Sequence, residues 1–317
     1  MENFKFNLII CVTPLQMLIA EKIIELYSEE KFLSICLQYD DNGKYDVYYQ
    51  KISAKSDKKF KYYVKSENKI GRMIDLIKFK KIIKKNNILN VSKFFVSSIE
   101  NPFIQLLLSD VNFDQIYTFD DGTANISPKS IYHVKERKSI LQKINAMILG
   151  IKFDQNYIKN NSVMHYTIFE NFKNITDRTY FIPLFKDIKF NNADKYVKIF
   201  VGQPYEEFKV NKKLDINKIL TTHSITKYFP HPRERGIISD VEYISSDLIF
   251  EDYVINLLEL GYFVEVYTFF STTALNLSSL KNVKVFSLKN GELYGSYSDL
   301  YDLFELNNIK VIELNDL

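Results

Sequence analysis

Glycine is scarce in this chain: nine residues in 317, and no two of them form a G-x-G pair. That excludes the dinucleotide-binding fingerprint and the P-loop, which need closely spaced glycines so that backbone can approach phosphate. Tryptophan is absent, and cysteine occurs only as Cys11 and Cys36, each inside an apolar run that reads as a strand. Their neighbours make them buried, reduced thiols and not a disulfide scaffold. Four scattered histidines, with no C-x-x-C, H-E-x-x-H or G-x-S-x-G, argue against a zinc centre and a serine-hydrolase elbow. No Asp-x-Asp pair occurs, so a metal-bridged site of the single-Rossmann glycosyltransferase kind has no support. An excess of one charge is missing too: 42 basic against 39 acidic residues leave +3, which argues against a globally basic nucleic-acid binder. No apolar run reaches the roughly 18 residues that span a bilayer. The run Leu8–Ala20 contains Pro14 and Gln16 and lacks a small-residue cleavage site, so it does not read as a signal peptide. The expectation is a soluble, cytoplasmic protein.

What is present is a folded chain long enough for two domains, with 46% hydrophobic and 15% aromatic residues. Asn7–Val12 reads as a strand, and Thr13-Pro14 as the cap and first turn of a helix running to about Tyr27. Phe32–Leu37 is the next strand, and strand–helix–strand with short joints opens a parallel α/β sheet. The pattern continues with a helix at Arg72–Lys85, a strand at Lys93–Val96, a helix at Pro102–Leu108 and a strand at Gln115–Phe119. Residues 38–70, rich in Tyr and Lys, read as a polar hairpin insertion. After a polar stretch around Asp187–Lys195 a second series begins: strands at Tyr196–Val201, Glu242–Ile244, Phe263–Thr268, Val283–Ser287 and Lys310–Leu314. Helices are expected at Asp247–Leu260 and from Thr272 to Leu277. The expectation is two Rossmann-like domains, residues 1–190 and 191–317, facing across a cleft.

Ligands of open α/β sheets bind beyond the carboxyl ends of the strands, so the residues after each strand carry the chemistry. Asp120-Asp121-Gly122-Thr123 follows one strand. Two adjacent carboxylates that interact raise one pKa and make a general base available, although an Asp-Gly turn capping a helix accounts for the same residues. In Lys227-Tyr228-Phe229-Pro230-His231-Pro232-Arg233 two prolines bracket His231 and stiffen the loop. A histidine held this way binds or protonates a phosphate oxygen, with Lys227 and Arg233 adding positive charge; the alternative is a rigid surface loop. Ser271-Thr272-Thr273 opens a helix after a strand, either as an anion site or simply as an N-cap. Gly202-Gln203-Pro204 is a ligand-facing loop with Glu206 and Glu207 beside it as further acids. Glu251 is in reach of a ribose diol, and Thr13 and Gln16 of a polar acceptor. The stretch Ile74–Lys85 is basic on one face, an ordinary solvated helix or a contact with anionic lipid.

Taken in order, these pieces resemble the bacterial sialyltransferases of glycosyltransferase family 52. The resemblance runs over nearly the whole chain, through Leu8–Gln16, Phe119–Thr123, Val201–Pro204, Tyr228–Glu234 and Phe269–Ala274. It implies a GT-B fold, a CMP-sialic acid donor, inversion at the anomeric carbon, and neither metal nor other cofactor. Carried over by position, Asp120 or Asp121 is the base and His231 meets the leaving phosphate of CMP. Ser271 and Thr272 hold that phosphate, with Gly202, Gln203, Lys227, Pro232, Glu251 and Thr273 completing the donor site. Thr13 and Gln16 fall to the acceptor, a terminal galactose of a lipooligosaccharide or capsule, joined α-2,3. The family pair Ser-Ser is here Ser271-Thr272, which keeps both hydroxyls. Which of Asp120, Asp121, Glu206 and Glu207 is the base stays open. A homodimer and peripheral contact with the inner membrane are further implications. Two other readings remain: a glycosyltransferase using another nucleotide sugar, and a non-catalytic polysaccharide-assembly protein.

Overall fold

The computed structural model describes residues 5–66, 68–134, 138–186, 188, 190–208, 214–234 and 236–314. The chain divides into two compact units between Leu184 and Phe185.

The first unit begins with β1 (Phe6–Cys11), α1 (Pro14–Leu26), β2 (Phe32–Gln38), α2 (Gly43–Ala54) and β3 (Lys58–Tyr63). It continues with α3 (Lys69–Lys85), β4 (Asn90–Val96), α4 (Pro102–Asp110) and β5 (Asn112–Phe119). A short 3-10 turn (Thr123–Asn125), α5 (Ile140–Leu149), α6 (Gln155–Asn161), β6 (Ser162–Thr167) and β7 (Thr179–Phe181) complete it. Its seven strands are parallel in the order β3-β2-β1-β4-β5-β6-β7. All seven residues of β2 are buried, as a strand covered on both faces requires. Leu8, Ile10, Ile35, Phe94 and Val96 pack on one face against Phe79 of α3 and Phe103, Ile104 and Leu107 of α4. Thr13 caps α1 with its side chain and Pro14 fills the first turn, where the missing N–H costs nothing.

The second unit holds β8 (Lys195–Val201), a 3-10 turn (Tyr205–Glu207), α7 (Ile216–Thr222), β9 (Lys227–Phe229) and β10 (Glu242–Tyr243). After them come α8 (Phe250–Glu259), β11 (Tyr262–Thr268), α9 (Thr272–Ser278), β12 (Val283–Lys289), α10 (Gly291–Leu306) and β13 (Lys310–Glu313). Its six strands are parallel in the order β10-β9-β8-β11-β12-β13. Phe200, Tyr228, Phe269, Leu288 and Tyr301 form its core. In both sheets the strand order reverses direction once, between β1 and β4 and between β8 and β11. Beyond the carboxyl ends at such a reversal, neighbouring crossovers diverge and leave room for a ligand.

Two expectations are corrected. Residues 38–70 are not a hairpin but α2 followed by the parallel edge strand β3. Tyr45, Tyr48 and Ile52 recur at helical spacing and are buried, which a Tyr-rich reading takes for strand. Lys58, Lys59 and Lys61 mark β3 as an edge, where lysine discourages further pairing. Asp247 lies outside α8, whose N-cap is Ile249 without a side-chain cap bond. Cys11 and Cys36 are buried and unpaired.

Candidate active site

In the first unit, the loops after β1, β4 and β5 gather a polar cluster. Gly122 has φ +116°, a conformation that glycine adopts without strain, and it turns the chain sharply after the two aspartates. The aspartates then separate in role. Asp120 is fully buried, and its carboxylate accepts from His165 Nε2 at 2.8 Å, Thr167 Oγ1 at 2.7 Å, the Ile168 amide at 2.7 Å and Asn174 Nδ2 at 3.3 Å. These four donors tie β5 to β6 and the loop beyond, and they surround the carboxylate of this candidate base.

Asp121 turns the other way. One carboxylate oxygen accepts from Gln16 Nε2, the other from Ser98 Oγ at 3.1 Å and Tyr132 OH at 2.7 Å. Burial pushes its pKa up, while these three donors pull it back. Ser98 holds its place at φ +43°, a strained conformation of the kind that persists where surroundings enforce it. Gln16, expected at the acceptor, contacts the same cluster. Gln16 is fully buried, its Oε1 accepting from the Val12 amide at 2.6 Å and its Nε2 donating to Ser98 at 2.8 Å as well as to Asp121. Its amide orients Asp121. Thr13 accepts from the Gln16 amide at 3.3 Å and stays half-buried at the loop surface. Ser98 and Tyr132 were missed in the sequence. Ser98 stands just beyond the carboxyl end of β4, a position that marks it for attention in an open α/β sheet, whereas nothing local marks Tyr132.

In the second unit, a cavity of about 320 Å³ opens where β8 and β11 diverge. His231, Arg233, Ser271 and Thr272 line it, with Gln203 and Pro204 at its base and Glu207 at its rim. Arg233 pairs with Glu207 at 3.0 Å, both side chains more than half exposed. The Arg233 amide donates to His231 Nδ1 at 3.1 Å, which assigns the proton of the neutral ring to Nε2. Ser271 caps α9 by accepting from the Thr273 amide at 3.4 Å. Gln203 Oε1 accepts from Thr268 Oγ1 and from the Phe269 and Phe270 amides, each at 3.2 Å, and so joins the ends of β8 and β11.

The remaining expected donor residues lie around this cavity, not in it. Glu251 is 5% exposed, accepting from Thr273 Oγ1 at 3.1 Å and Asn276 Nδ2 at 2.9 Å, and burial raises its pKa against those hydrogen bonds. Thr273 is thereby turned toward α8. Pro232 is exposed and shapes the loop. Lys227 is a correction: it stands at the amino end of β9 and pairs with Glu242 of β10, away from the cavity at the strand's other end. Gly202 makes room for its neighbours, since a Cβ there sits 2.5 Å from Glu234 Oε2 and 2.7 Å from the Tyr228 hydroxyl. An aromatic wall went unread in the sequence. Phe270 stacks on Tyr297 at 4.1 Å between centroids and lies 4.7 Å from Phe208. A kink at Tyr297 (φ −132°) interrupts α10 at this point.

Two successive Rossmann-like units, each with a polar cluster beyond its strand reversal, define a GT-B-type α/β protein. A crystal structure of the glycotransferase of kitacinnamycin has this fold, with a TM-score of 0.53 at 8% identity over 99% of this chain and 87% of that one. The sequence profile of glycosyltransferase family 52 matches residues 29–291, and the chain belongs to that family of enzymes. It is 33% identical to the CMP-N-acetylneuraminate:beta-galactoside alpha-2,3-sialyltransferase of Pasteurella multocida, over 98% of this chain and all of the relative. It is also 33% identical to the N-acetyllactosaminide alpha-2,3-sialyltransferase of Haemophilus influenzae, over 88% of this chain and 90% of that protein.

Proposed function

We propose that the protein transfers sialic acid from CMP-sialic acid to the 3-hydroxyl of a terminal β-galactoside, with inversion and without an obligatory metal. The observation that carries the reading is the cavity of the second unit, where an imidazole, a guanidinium and two hydroxyls converge beside an aromatic wall. Departure of CMP leaves an electron-poor sugar carbon and a phosphate whose charge needs donors. His231 Nε2–H, Arg233, Ser271 and Thr272 supply them, and loss of one such preplaced donor typically costs about 3 kcal/mol of barrier. Phe270 and Tyr297 offer the cytosine a stacking surface, and Glu251 supports this wall from behind by holding Thr273. The first unit takes the galactoside, with Thr13 at its surface.

The base is assigned to Glu207, because it lines the same cavity as His231, Ser271 and Thr272. Its ion pair with Arg233 holds it beside the cavity. Asp121 is the second reading, favoured by the burial that raises its proton affinity; a base of either kind is worth about 10²- to 10⁴-fold in rate. The acceptor belongs to a surface glycan, a lipooligosaccharide or a capsule, made in the cytoplasm, where two unpaired buried thiols survive. Among the described residues no helix is long and apolar enough to cross a membrane. The lysine-rich α3, with Ile70 and Ile74 exposed, supports peripheral contact with anionic lipid. A homodimer is the family's expectation, and the exposed apolar residues Ile140, Met147 and Ile148 of α5 suit such a contact. The test is release of CMP from CMP-sialic acid on adding lactose, in the presence of EDTA. Turnover under those conditions supports the reading, and an absolute requirement for divalent metal contradicts it.

A further inference from the structure

Pro230 and Pro232 carry no N–H, so the amide of His231 is the one backbone donor in that stretch of loop. It is not left to solvent. The His231 amide donates to Glu234 Oε2 at 3.3 Å, and the Glu234 amide donates back to the His231 carbonyl at 3.0 Å. The other oxygen of Glu234 accepts from the Tyr228 hydroxyl at 2.5 Å, and the Tyr205 hydroxyl lies 2.7 Å from that of Tyr228. Tyr228 belongs to the core strand β9 and is fully buried, so the chain of contacts runs from the sheet to the loop. Gly202, at the end of β8, provides the space, since any Cβ there meets Glu234 and Tyr228 at 2.5 and 2.7 Å. Burial raises the pKa of Glu234, the sign of a carboxylate held in the site against its preference for water.

We propose that Glu234 is a positioning residue: it clasps the main chain of His231 from both sides and so aims the imidazole Nε2–H at the donor phosphate. The inference rests on the reading that His231 meets that phosphate. Loop stiffness from the prolines limits the number of conformations, and the clasp selects one of them. The Arg233 amide on Nδ1 then fixes the ring about its own axis.

The test uses the full-length protein with Glu234→Ala, Glu234→Gln, Gly202→Ala and His231→Ala. It measures kcat, KM for CMP-sialic acid and for lactose, and melting temperature. The ¹⁵N shifts of the His231 ring are recorded without substrate. Glu234→Ala is expected to lower kcat about tenfold with KM for lactose within about twofold, as loss of an aligned group predicts. The ring shifts move from a single Nε2–H tautomer toward a mixture. Glu234→Gln recovers to within about threefold, because its carbonyl accepts from the His231 amide and its NH₂ donates to Tyr228. Gly202→Ala behaves like Glu234→Ala. Wild-type turnover and ring shifts in Glu234→Ala, alongside an impaired His231→Ala, overturn the positioning role alone. Unimpaired His231→Ala overturns the phosphate reading on which it rests. A lowered melting temperature with unchanged ring shifts reduces Glu234 to a fold residue.

Discussion

The carboxylate of Asp120 accepts from the imidazole Nε2 of His165 at 2.8 Å, and both side chains are wholly removed from water. The next residue in the chain, Asp121, shares none of those four donors. Adjacent acids at a strand's end thus take two separate sets of donors. Removing a buried acceptor leaves its donors unsatisfied, typically at about 1–3 kcal/mol for each such group. Asp120→Ala should therefore lower the urea midpoint sharply. A midpoint equal to wild type would contradict the structural role.

Asp121 yields a pH prediction. Burial raises its pKa in the folded chain, so the folded state holds the proton more tightly than the unfolded one, where aspartate titrates near 3.9. The stability this contributes is complete below about pH 3.9 and is lost as pH rises through the raised folded value. Asp121→Asn does not titrate. Its stability relative to wild type should improve between about pH 4 and pH 7, read from urea midpoints at the two pH values. A relative stability that falls over that interval contradicts the assignment.

Catalysis separates the two candidate bases. Glu207→Gln should lower kcat by about 10²- to 10⁴-fold with affinity for CMP little changed, since a base acts mainly in the transition state. Asp121→Asn should cost far less. The reverse ranking moves the base to the first unit.

The aromatic wall makes a binding prediction. Tyr297→Ala removes the ring stacked on Phe270 and should weaken CMP binding by about 1–3 kcal/mol, measured calorimetrically, as loss of a base-stacking surface does. Tyr297→Phe should bind CMP like wild type. Equal affinity in all three proteins removes the cytosine from this wall.

Much of the architecture was legible because local signals and global fold agree. Thr13-Pro14 announces α1, and the apolar runs of β1 and β2 read directly as strands buried on both faces. Tyrosine misled the reading of residues 38–70, since Tyr45 and Tyr48 serve a helix face as well as a strand. α10 went unread although its buried residues Leu293, Tyr301 and Phe304 recur at helical spacing, with the kink at Tyr297 between them. At the site, motifs standing just after strands could be found one by one, including Ser271 and His231. Their partners could not. Ser98 and Tyr132 reach Asp121 only because the strand order sets β1, β4 and β5 side by side. Glu234 becomes meaningful only once Gly202 and Tyr228 stand beside it.

The most direct test of the account is the product itself. The protein is incubated with ¹³C-labelled CMP-sialic acid and lactose, and the sugar formed is read by NMR. Sialyl-lactose with the α configuration and a 2→3 linkage is the expected result, lost in His231→Ala. Intact donor after prolonged incubation, while a uridine-diphosphate sugar is consumed under the same conditions, would contradict it.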